Sequence, residues 1–165
     1  MTRIFYSALF LIIFSTVFGQ SESVFPDLQL ETTKDRVISS SYFKQTSHPK
    51  VVVLWSTASR QAIQELNALE LKKSIWNKSY EAQIISIALD NSKKKTKVIS
   101  FVNSNSWTFD CYLDTSAKSM IALKGKNVPL TLILNETGEI VSRLEGFDSG
   151  TIDKIQNQLT KMSEQ

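Results

Sequence analysis

Strands that alternate with helices along most of the chain predict an α/β fold, a mixed sheet with helices on both faces. Three observations carry that prediction. Val51-Val52-Val53-Leu54-Trp55 is a continuous apolar run rich in β-branched residues, the pattern of a strand covered on both sides. Ile84 to Leu89 repeats it, and a helical pattern separates the two runs. The chain then closes with two strands across the turn Asn135-Glu136-Thr137-Gly138 and an amphipathic helix.

Taken in order, Leu28, Leu30 and Thr32 alternate as a short strand. Lys34-Asp35-Arg36 is a turn, and Val37-Ile38 starts a return strand, so the domain opens with a hairpin. Pro49 suits the entrance to the Val51 strand. A helix is expected from Ser59 to Trp76. Ile63, Leu66 and Leu69 lie along one side with Trp76, and Leu71 and Ile75 are expected to widen the apolar stripe. Lys94 to Asn103 reads as a helix with Val98, Ile99 and Val102 inward. The run Lys93-Lys94-Lys95-Thr96-Lys97 reads as a solvated face. Phe109 to Leu113 is a strand, Thr115 to Leu123 a short helix, and Leu130 to Leu134 and Ile140 to Leu144 the closing hairpin. The last helix shows Ile152, Ile155, Leu159 and Met162 on one face.

Composition bounds the chemistry. The chain has 165 residues, with 19 Lys+Arg against 16 Asp+Glu, one His and one Cys. A net charge of +3 is too small to argue for nucleic acid. One Cys makes no internal disulfide, and one His leaves no multi-histidine metal site. No nucleotide loop, metal cluster or cofactor motif appears, and no cofactor is expected. Met1-Thr2-Arg3, the apolar run Ile4 to Phe18 and Gly19 read as a secretory signal cleaved before Gln20. The expected division is a signal peptide at 1–19, a short segment at 20–25 and one domain at 26–165. The location that follows is secreted or periplasmic, with membrane attachment only if the segment stays uncleaved.

The stretch VVVLWSTASRQAIQELNAL resembles the exported TlpA-like thiol:disulfide reductases, or redoxins, of the thioredoxin fold. In that family an apolar strand leads to Trp and then to a Cys-x-x-Cys that opens a helix. Pro26-Asp27-Leu28, the hairpin around Lys34-Asp35, Val128-Pro129-Leu130-Thr131 and the closing hairpin to Gly146-Phe147 match in order and spacing. The resemblance implies a thioredoxin-like three-layer sandwich with an N-terminal β-hairpin. It also implies a cis-proline at Val128-Pro129, with Val128 facing the site and pairing with extended substrate backbone.

The departure falls on the chemistry, because the two Cys positions hold Ser59 and Ala62. Disulfide exchange needs a thiolate at the helix N-terminus and a second thiol to resolve the mixed disulfide. Ser59-Arg60-Gln61-Ala62 supplies neither. Ser59 reads instead as an N-terminal helix cap. The only His, His48, belongs to the loop at the other end of the Val51 strand, so it cannot serve as a base for Ser59. Glu65, at the family's acidic position, is expected to be a structural or partly exposed helix residue. Trp55 and Trp107 read as core or rim aromatics.

Two functional expectations follow. One is a non-catalytic module that binds a protein or extended peptide across Trp55, Ser59, Arg60, Val128 and Pro129. The other is a redox protein using Cys111, whose mid-strand position reads first as structural burial. A scaffold subunit of a larger assembly is the third and weakest reading.

Overall fold

The computed structural model describes residues 24–44 and 46–164. The expected signal segment therefore lies outside the described residues. Among these residues seven strands form one sheet: β1 (Gln29–Thr32), β2 (Val37–Ser39), β3 (Lys50–Trp55), β4 (Gln83–Ala88), β5 (Asp110–Leu113), β6 (Leu130–Leu134) and β7 (Ile140–Glu145). Their spatial order is β2-β1-β5-β4-β3-β6-β7. The β3–β4 and β4–β5 pairs are parallel, and the remaining pairs are antiparallel. Among the described residues there are four α-helices: α1 (Arg60–Tyr80), α2 (Lys95–Ser104), α3 (Lys118–Ala122) and α4 (Thr151–Ser163).

Two cores lie on opposite faces of the sheet. Val51, Val53 and Trp55 face α1, α2 and α4, whereas Val52 and Leu54 face Phe43, Leu123 and Phe25 on the other side. Every residue of β3 is buried, which is why its sequence is a run and not an alternation. The strand begins one residue earlier than expected, at Lys50. That side chain is buried, and its ammonium donates to Thr46 O at 3.2 Å and His48 O at 2.6 Å. Burial lowers its pKa from 10.5 to about 8, with Glu136 pulling the other way.

Helix α1 runs one turn past the expected end. Trp76 Nε1 donates to Gln156 Oε1 at 3.4 Å, and the Tyr80 and Thr160 hydroxyls meet at 3.0 Å, so α4 supports the extra turn. Glu81 then closes the helix in a left-handed conformation, its N–H bonded to Asn77 O and Trp76 O. Leu71 and Ile75 correct the expected stripe, because they are 80% and 57% exposed. They sit roughly half a turn from the buried line of Ala62, Leu66, Leu69 and Trp76. The place they were expected to fill beside that line is taken by Glu65, which is fully buried.

Helix α2 buries Val98 and Val102, while Ile99 is half-buried. Lys95 leaves the otherwise solvated lysine run to pair with Glu31 and Asp35, tying α2 to the first hairpin. No helix among the described residues is long and apolar enough to cross a membrane.

Candidate functional site

The carboxyl ends of β3, β4 and β5 and the start of β6 meet at one end of the sheet, since Leu54 lies opposite Leu130. Loops there can converge on a common site. The chain leaves β3 at Trp55 and turns through Ser56 to Ser59 into α1. Asp90, at the end of β4, holds that turn: Thr57 donates its N–H to Oδ2 at 2.8 Å and its hydroxyl to Oδ1 at 2.7 Å. An acid just past a buried strand was the sequence signal for this brace, which the sequence reading did not identify.

Ser59 is the N-cap of α1, with extended backbone and its Oγ accepting from Ala62 N at 3.2 Å. The same hydroxyl donates to Val128 O at 3.3 Å. The Val128-Pro129 peptide is cis, and Gly146 N donates to Pro129 O at 2.8 Å. Ser59 and Val128, far apart in sequence, are thus joined directly. The Val128 N–H has no hydrogen-bond partner among the described residues.

The five expected contact residues separate by exposure. Arg60 is exposed, Ser59 and Val128 are half-buried, and Pro129 is buried. Trp55 corrects the expectation: it is 0% exposed and cannot touch a partner. Its ring meets Trp107 edge to face at 5.2 Å and Phe101 at 6.3 Å, so it forms a rigid floor under the turn. His48 stands at the opposite end of β3, 3.2 Å from Glu81, as expected.

Beneath α1 lies a row of polar side chains. Thr131, Val53, Ser86 and Cys111 are register partners across β6, β3, β4 and β5. Thr131 donates to Glu65 Oε1 at 2.5 Å, and Glu65 Oε2 has no partner among the described residues. Burial raises the Glu65 carboxyl from the ordinary 4.5 to about 7, partly offset by the Thr131 bond. Of the two expectations for Glu65, a structural or a partly exposed helix residue, its burial selects the first. Ser86 Oγ and Trp55 Nε1 face Cys111 without meeting hydrogen-bond geometry.

Cys111 is buried, and desolvation, reinforced by Asp110, raises its thiol to about 11. At pH 7 roughly one molecule in ten thousand then carries a thiolate. A redox role needs an accessible thiolate, and this geometry does not supply one. Iodoacetamide should leave Cys111 unmodified in the native protein and alkylate it completely in urea, as read by intact mass. Rapid native labelling would restore the redox reading.

Ala58 and Arg60 beside Ser59 are exposed. A cleft of about 670 Å³ lies at the far end of the sheet, lined by Tyr80, Glu136 and Gln158 among others, and takes in neither Ser59 nor Val128.

Solved structures share this fold. A thioredoxin-like protein of Porphyromonas gingivalis superposes with a TM-score of 0.75 at 18% identity, covering 83% of this chain and 90% of its own. The chain has the thioredoxin fold. A Chlorobium tepidum protein described as the thiol:disulfide interchange protein DsbE gives 0.74 at 16% identity, over 86% of this chain and 96% of its own. StoA of Bacillus subtilis gives 0.63 at 20%, over 83% and 98%. No family model matches the sequence, and a search of curated proteins finds no match. Within this thioredoxin fold the Ser59–Ala62 turn and the cis-proline loop stand together, and the turn carries no thiol.

Proposed function

We propose that this is an exported thioredoxin-fold protein that binds an extended protein segment and performs no disulfide exchange. The observation that carries the reading is the Ser59–Val128 junction. The helix N-terminus and the cis-proline loop are held together beside the exposed Arg60, with a main-chain N–H on Val128 that has no partner among the described residues and no thiol at either turn position. Main-chain pairing with an extended segment needs no cysteine. Export is supported by the positive start, the apolar run and Gly19 at the N-terminus.

The test is selection of phage-displayed dodecapeptides on the protein from Gln20 onward. Selected peptides should bind in the micromolar range, and Arg60→Glu should weaken them about tenfold or more without changing the far-ultraviolet spectrum. Peptides that bind Arg60→Glu unchanged, or a selection that enriches nothing, would remove this surface as the binding site.

A further inference from the structure

Resting on the binding reading above, we infer that the segment bound across Ser59 and Val128 is acidic, an extended carboxylate-bearing stretch of a partner protein. The argument is the imbalance of uncommitted charge at this end of the sheet. Arg60 opens α1 directly after Ser59, and Lys126 lies just before Val128 with Lys124 beside it. Lys93 and Lys94 follow β4, and Lys118 opens α3 after β5. All are exposed, and among the described residues none forms an ion pair.

The carboxylates of the same end are otherwise engaged. Asp90 accepts from Thr57, and Asp114 accepts from the N–H and hydroxyl of Ser119. Glu145 is paired with Arg143, and Asp148 with Lys154. Each of those two pairs holds its carboxyl below the usual range. Asp153, in the first turn of α4, is the exception. No acid stands in the first turn of α1, so nothing there offsets the positive helix end. A surface rimmed by unpaired cations attracts acidic segments and repels basic ones.

The loop that presents Lys124 and Lys126 is itself held. Arg143 donates to Leu123 O at 2.6 Å, and the backbone N–H groups of Lys126 and Asn127 face the Glu145 carboxylate and help hold its pKa down. The two lysines therefore flank Val128 from an anchored loop, which limits the ordering cost of binding.

The experiment is fluorescence anisotropy with labelled dodecapeptides of alternating Glu and Ser, and of alternating Gln and Ser. The Glu peptide should bind about tenfold more tightly at low salt, since each exposed pair contributes a factor of roughly two. That margin should shrink at high salt. Lys124→Gln/Lys126→Gln should remove most of it, whereas Lys78→Gln/Lys161→Gln, at the far ends of α1 and α4, should not. Equal binding of the two peptides overturns the inference and leaves the binding reading standing. If neither peptide binds and phage selection enriches nothing, both fall. Binding to phosphatidylglycerol vesicles with the same lysine dependence, and to neither peptide, overturns it in favour of a membrane surface.

Discussion

Replacing Ser59 and Ala62 together by cysteine should give a disulfide reductase where the native protein shows no turnover. Ser59 Oγ already sits 3.2 Å from Ala62 N at the start of α1. A sulfur in its place would face the backbone N–H groups and the positive end of a long helix, which favour the thiolate. Ala62 is fully buried one turn further along the same face, where a second thiol could resolve a mixed disulfide. The Val128-Pro129 loop is already against the nucleophile position. In the insulin reduction assay with dithiothreitol, the double variant should exceed the native background on the order of a hundredfold. Ser59→Cys alone should not turn over, for want of a resolving thiol. Cys111→Ser should change nothing, because that thiol is buried and protonated. A double variant that folds and forms its disulfide but fails to turn over would show that the cis-proline loop no longer docks a substrate chain. The proposed binding role would weaken with it.

The fold was readable because its strands announce themselves. β3 and β4 are so enclosed that their sequence is apolar on both faces, and their short length and β-branched residues separate them from a buried helix. Ser59 was readable as a cap because an N-cap is a local event, decided by a hydroxyl and the next turn of backbone. Leu71 and Ile75 misled because composition widens a stripe that only packing can bound. What α1 covers is fixed by β3 and α4, which are distant in sequence. Glu65 could be left only as structural or partly exposed for the complementary reason. A glutamate in a helix is normally solvated, and only Thr131 on β6, 66 positions away, shows what this one faces. Trp55 belongs to the same class. Its position beside the turn is local information, while its enclosure by Phe101 and Trp107 is tertiary. The charge imbalance around Val128 was also hidden, because it depends on which carboxylates are already taken by hydrogen bonds.

Glu65 should make this protein lose stability as the pH rises through the weakly acidic range. Its carboxyl titrates near 7 in the fold against 4.5 ordinarily, through burial and not through any charged neighbour. Between those values the unfolded chain has released a proton that the folded chain still holds, so raising the pH favours unfolding. The contribution is fully present below about 4.5, falls through the window to about 7 and is flat above it. Its size is about 3 kcal/mol. The other shifted groups act elsewhere. The lowered carboxyls of Glu145 and Asp148 lose their pairing on the acid side of that window. Lys50, lowered to about 8, destabilises the fold while charged and is relieved only as the pH rises from there toward 10.5. Urea unfolding between pH 5 and 7.5 therefore isolates Glu65. Glu65→Gln keeps an oxygen for Thr131 and cannot ionise, so its stability should be nearly flat across the window. It should lie within about 1 kcal/mol of the native protein at pH 5, where the neutral carboxyl is likewise without a partner at Oε2, and roughly 2 kcal/mol above it at pH 8. A Glu65→Gln curve parallel to the native one would mean that Glu65 does not carry the pH dependence, and that its carboxyl is ionised in the fold at neutral pH.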